Sequence, residues 1–102
     1  MEVVHVVSLV VNLPIAKPDA LAVIALVSDG EVLDAGSADP RVWVSPRSWA
    51  MVDLPRFAEP PPFAVDVCSH DLGAAREDAR LLAAALERVG WRIEPFGDPP
   101  AG

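Results

Sequence analysis

The sequence predicts an α/β domain, a mixed sheet of four or five strands with one main helix packed across it. Three observations carry this. A valine-dense stretch opens the chain at residues 2–13, an amphipathic helical repeat fills residues 71–89 between two short apolar runs, and Asp29-Gly30 separates two further apolar segments. β-branched runs favour strands, spacing of three and four favours a helix, and Asp-Gly between apolar runs favours a hairpin. The expected order is therefore strand, hairpin, long loop, then strand, helix and strand.

In residues 2–13 the dense valines are interrupted by the polar residues His5, Ser8 and Asn12 at irregular spacing, which reads as a strand buried on both faces. Pro14 and Pro18 end it, because neither can donate to a ladder. Residues 21–28 and 31–36 then flank Asp29-Gly30 as a hairpin. The competing reading is a helix over residues 18–27, with proline at its first position and Gly30 as its stop. Between residues 39 and 62 fall six of the chain's eleven prolines, together with Trp43, Trp49 and Phe57. This predicts a long stiffened connection lying over an edge or the opposite face of the sheet. At most it holds a short strand at 42–44 and a helical turn at 48–52, and Pro60-Pro61-Pro62 forms an extended spacer.

The last third is the most regular. Residues 63–68 read as a buried strand and residues 91–96 as another, joined by the helix in a parallel crossover. Leu72, Ala75, Ala79, Leu82, Leu86 and Val89 form the helix's apolar face, and Arg76, Glu77, Arg80, Glu87 and Arg88 line the other side. Asp71 is placed as N-cap and Gly90 as the exit through positive φ. A single domain over residues 1–97 with a flexible tail at 98–102 is expected.

Of the 102 residues 52% are hydrophobic, and 15 acidic against 8 basic side chains give a net charge of -7. A chain of this length buries roughly 65% of its unfolded surface, enough for a two-layer core without disulfides. The composition excludes disorder, collagen, a disulfide scaffold and a free-standing basic nucleic-acid binder. The lone Cys68 makes no internal bridge, so the cytoplasm is the expected location. No apolar run elsewhere exceeds residues 20–27, and the apolar N-terminus lacks the basic start of a signal peptide. No membrane segment is expected. Repeats, zinc-type spacing and the glycine-rich phosphate or nucleophile-elbow motifs are absent from the sequence.

Three groups of residues are candidates for chemistry. Asp66, Cys68, Ser69, His70 and Asp71 run from the end of an expected strand into a helix start, where a thiol could pair with a histidine base. The blander reading is a small buried cysteine followed by ordinary capping residues. Arg41, Trp43, Arg47, Trp49, Arg56 and Phe57 interleave arginine with aromatics, the residue types that anchor protein interfaces. Their structural alternative is tryptophans closing one side of the sheet above solvated arginines. Among the carboxylates Asp29, Asp34, Asp66 and Asp71, only Asp66 is expected in mid-strand between apolar neighbours, where a charge needs a partner or a task. His5 and His70 are the only histidines, and nothing in the sequence brings them together, so no metal site and no cofactor are expected.

The element order is similar to the first five strands and first helix of a ribonuclease-H-like domain, particularly the Holliday-junction resolvase type. Phe63-Ala-Val-Asp-Val, Ala75-Arg76 and residues 81–95 carry the resemblance, by pattern rather than by a specific motif. It implies Asp66 as an acidic metal ligand. The chain departs from that family where the first strand has Val7 and Ser8 in place of an acid, and no acid-bearing helix follows residue 96. The resemblance thus implies a degenerate or truncated relative without catalysis, since two-metal chemistry needs more than one carboxylate.

The sequence reads most simply as a small acidic, non-catalytic binding or assembly module. It would act by protein–protein association, as a homodimer or by capturing a partner, with nucleic acid disfavoured by its charge. The alternatives are a divergent metal-dependent nuclease using Asp66 and Asp71, and a thiol enzyme using Cys68 and His70.

Overall fold

The computed structural model describes residues 3–34, 36, 40–53 and 63–93. In chain order they form β1 (His5–Val11), α1 (Lys17–Val27), β2 (Val32–Leu33), β3 (Arg41–Ser45), β4 (Ser48–Asp53), β5 (Phe63–Ser69) and α2 (Leu72–Arg88). The five strands make one open sheet in the order β1-β5-β4-β3-β2. The expected α/β class, with a long helix packed on a five-stranded sheet, is the one observed. Every pairing between named strands is antiparallel. Arg56, Phe57, the Pro60-Pro61-Pro62 spacer, residues 94–96 of the expected last strand and the tail at 98–102 lie outside the described residues.

The hairpin expected around Asp29-Gly30 is corrected to a helix, α1. Pro18 occupies the first turn, where its missing N–H costs nothing, and Asp19 complements the positive helix end. Asp29 takes φ 55°, and Gly30 N–H donates to Ala25 O at 2.9 Å. The Asp-Gly pair is thus a helix exit of the Schellman kind, with aspartate in the left-handed position. Gly30 is also required by close approach, since a Cβ there would stand 2.9 Å from Trp43 O.

The long connection is corrected as well. Residues 41–53 are not a loop over the sheet but its β3–β4 hairpin, turning at Pro46-Arg47. Pro40 precedes β3 and Pro46 sits in the turn, both positions that leave the ladder's N–H groups intact. The expected helical turn at 48–52 is strand because Ser48, Ala50 and Val52 alternate into the core with period two. β1, expected to be buried on both faces, is buried on one: Leu9 and Val11 are inside while Val6 is 52% exposed.

α2 forms where the spacing predicts, but its buried face is corrected: Leu72 and Val89, at its two ends, are 38% and 53% exposed, while Ala74 and Ala83 join Ala75, Ala79, Leu82 and Leu86 inside. Asp71 accepts from Gly73 N–H at 3.2 Å as N-cap, and Gly90, at φ 98°, lets Trp91 N–H reach Leu86 O at 3.0 Å. Beyond it Ile93 makes an isolated antiparallel bridge with Val11. Since β1 runs antiparallel to both, the chain at Ile93 runs parallel to β5, as the crossover reading expected, with β1 between them.

Both helices lie on one side. α2 packs across β1 and β5, α1 across β3 and β4, and the two touch. Between them and the sheet, Leu9, Val11, Ile24, Val42, Val65, Val67, Leu86 and Trp91 build the core. Polar groups enter it in one place, where Asp78 of α2 accepts from Ser45 Oγ at 2.7 Å and Ser48 Oγ at 2.5 Å.

Candidate functional site

The alternation that buries one face of each strand sends the intervening side chains to the other face, over which no described element lies. Register decides who meets there. Val6 pairs with Cys68, Cys68 with Trp49, and Trp49 with Trp43, so these four form one row across the sheet. The next row is Ser8, Asp66 and Met51, and the β3–β4 register extended by one residue adds Arg41. Val10, Ala64 and Asp53 make a third.

The two groups that the sequence separates, Asp66 with Cys68 and Arg41 with Trp43 and Trp49, therefore share one surface. Trp43 and Trp49 meet edge-on with ring centroids 5.4 Å apart, and the His70 ring lies 5.5 Å from that of Trp49. Trp43 is 43% exposed. Arg41 Nε is buried with no hydrogen-bond partner, the only such side-chain nitrogen or oxygen among the described residues.

Asp66 has the partner that a mid-strand carboxylate needs: Ser8 Oγ donates to its Oδ1 at 2.6 Å. It is half-buried on the uncovered face rather than enclosed, which removes most of the desolvation cost. Among the described residues no three His, Cys, Asp or Glu side chains gather as a metal would require. Asp71 is engaged as the α2 cap, and His5 stands across from Ser69 on the helix side of the sheet.

Cys68 is buried, and its thiol points toward Asp66 O at 3.8 Å. Burial pushes its pKa up, the Asp66 carboxylate adds to the rise, and Arg41 pulls the other way. A nucleophilic cysteine needs the opposite shift. Alkylation of native Cys68 is expected to be slower than that of the unfolded chain by roughly an order of magnitude or more, measured with iodoacetamide in buffer and in denaturant. The linkage has a definite sign. As pH rises, the unfolded thiol ionises first while the folded one keeps its proton, so stability falls with pH above the ordinary thiol range until the folded thiol also ionises. Unfolding midpoints at neutral and alkaline pH should show this loss in the wild type and less of it in Cys68→Ala.

Arg47 is placed elsewhere. From the β3–β4 turn its Nη2 comes within 3.8 Å of Asp78 Oδ1, so it belongs to the polar cluster under α2 and not to the tryptophan row. Two concavities of about 240 and 380 Å³ also lie away from Asp66, and both include Ser28, Val44 and Ser45. Arg56 and Phe57 fall outside the described residues.

Val6, Ser8, Val10 and Met51 on the uncovered face, and Asp78 beneath the helix, were not singled out by the sequence. Asp78 carried a signal, for it falls three residues after Ala75 and four before Leu82 on the helix's apolar face. Comparison with known protein families, with curated proteins and with solved structures finds no match.

Proposed function

We propose that this chain is a small acidic, non-catalytic binding or assembly module that works by protein–protein association, with itself or with a captured partner. One observation carries the reading: a sheet face bearing Val6, Val10, Trp43, Trp49, Met51 and Arg41, with both helices on the other side. Trp, Met and Arg are the residue types enriched at interface centres. Physically, with both described helices on one side, the second face of an open sheet has no described element over it and is the surface that association can cover. The rigid ladder holds the tryptophans in place before any partner arrives, which lowers the entropy lost on binding.

The partner is protein rather than nucleic acid, because a net charge of -7 repels phosphate. No described helix is long and apolar enough to cross a membrane, and cytoplasmic residence belongs to the same proposal. The alternatives gain less support. Among the described residues Asp66 stands beside Ser8 and not beside a second carboxylate, which gives a metal-dependent nuclease of the resolvase type less support. A thiol enzyme would need Cys68 exposed and acidified.

The test is sedimentation of the full chain at micromolar concentration beside two variants. Trp43→Ala, which truncates the exposed tryptophan, should weaken association through the uncovered face by roughly 30-fold, the range of an interface anchor. Leu26→Glu, on the helix side, should leave it unchanged. Equal effects of the two variants would show that the uncovered face is not the contact. A magnesium titration of the assigned amide spectrum, with saturable shifts confined to residues near Asp66 and Asp71, would favour the nuclease instead.

A further inference from the structure

The sheet ends on one side at β1, and among the described residues the outer edge of that strand is paired only at its C-terminal end. There Asn12 N–H donates to Arg92 O at 3.0 Å, beside the Val11–Ile93 bridge. In an antiparallel strand alternate residues turn both backbone groups to the same neighbour. That bond therefore assigns the even-numbered residues of β1 to the outer edge and the odd-numbered ones to β5. Val6 and Ser8, and Val4 by the same alternation carried one residue past β1, each present an N–H and a C=O outward, with no partner among the described residues.

Natural edges are kept from pairing by charge, proline, bulges or shortness. β1 has none of these. No Asp, Glu, Lys, Arg or Pro occurs from Val3 to Leu13, the seven-residue register with β5 is unbroken, and Val3, Val4 and Val6 are 62%, 44% and 52% exposed.

We propose that a second copy of this chain occupies the edge. Two β1 strands pair antiparallel about a two-fold axis through Val6, joining the two sheets into one. This rests on the association reading above but assigns the contact between copies to the sheet edge, three strands from Trp43, so that the tryptophan face stays free for a captured partner. The outward groups at residues 4, 6 and 8 are symmetric about Val6, so a strand laid against itself sets Val6 opposite Val6 and Val4 opposite Ser8, each donating and accepting once. A closed two-fold contact of this kind uses the same patch on both copies. Charge favours the same place, because two chains of net charge -7 meet with least repulsion along an uncharged strand. The side chains of Val4, Val6 and Ser8 lie on the uncovered face, so the row from Val6 to Trp43 continues across the axis into the same row of the second copy. Dimerisation would then double the surface available to a further partner.

The experiment is sedimentation equilibrium of the full chain from micromolar to sub-millimolar concentration, with amide hydrogen exchange at Val4, Val6 and Ser8. Val6→Pro removes an N–H that faces outward and leaves the β1–β5 ladder intact. Val6→Lys adds an edge charge without touching the backbone and covers the case in which the proline variant fails to fold. A dimer is expected, with protection of the three amides that rises with concentration, and at least about tenfold weaker association in both variants. A dimer indifferent to both variants overturns the edge contact and leaves the association reading standing. Protection independent of concentration assigns the edge to residues 94–102 of the same chain and overturns the proposal. A monomer throughout overturns both the edge contact and self-association.

Discussion

Replacing Asp78 by alanine is expected to lower the unfolding free energy by about 3 kcal/mol, read as a fall in the urea midpoint at unchanged slope. The carboxylate is 6% exposed and its Oδ2 accepts from both Ser45 and Ser48. Two contributions could make it matter, and their magnitudes separate them. The ion pair with Arg47 spans 3.8 Å and its guanidinium side is 55% exposed, so solvent screens it to less than about 1 kcal/mol. The hydroxyls are different. Ser48 is fully buried, and without Asp78 its hydroxyl loses its only acceptor in a place water does not reach. The cost of orphaned hydroxyls therefore exceeds the lost ion pair, and Arg47→Ala should cost well under half as much as Asp78→Ala. Removing donors and acceptor together, as Asp78→Leu with Ser45→Ala and Ser48→Ala, should recover part of the loss, because no polar group is then left unmatched. If Arg47→Ala proves as costly as Asp78→Ala, this account of the cluster is wrong. The cluster also fixes α2 to the β3–β4 turn, and through Ser69 Oγ, which donates to Arg47 O at 2.7 Å, it anchors the end of β5 as well.

How far the sequence could be read depended on whether a local signal had one physical meaning. α2 was legible because its apolar residues recur on one face with charges on the other, and its two ends carry residues with definite backbone roles, Asp71 as acceptor and Gly90 at positive φ. α1 was not, because residues 20–27 are apolar on every side and show neither period. Asp29-Gly30 could not arbitrate, since a left-handed aspartate ends a helix as readily as it turns a hairpin. Only Pro18 and the alanine content leaned toward the helix. In the 39–62 stretch proline density outweighed the short alternations at 42–44 and 48–52, although Pro40 and Pro46 sit where strands begin and turn. For the uncovered face, period two groups Asp66 with Cys68 and His70, but Arg41 with Trp43 and Trp49 with Met51 only once residues 41–53 are known to be strands, which the expected connection with a helical turn at 48–52 hid. Which groups meet is a matter of register between segments far apart in sequence, and the pairing of Trp49 with Cys68 has no local signature.

The α1 correction makes the second large prediction, a contrast between two neighbouring leucine-sized residues. Ile24→Ala should cost about 3 kcal/mol, while Leu26→Glu should stay within about 1 kcal/mol of the wild type, its charge at the C-terminal end of the helix dipole included. Ile24 is completely buried among the core side chains, so its truncation leaves a cavity walled by a sheet and a second helix that cannot both close over it. Leu26 is 78% exposed, and a carboxylate there keeps its hydration. The contrast discriminates between helix and hairpin because of where residues two apart point. In a strand, 24 and 26 share a face and would be buried or exposed together. In a helix they diverge by about 200°, so one faces the core as the other faces water. Thermal or urea unfolding of the two variants reads the difference directly. Comparable losses in both would return residues 21–28 to a strand, and with them the uncovered face would change, because a strand in place of α1 would free the helix side of β3 and β4 that Ile24 now fills.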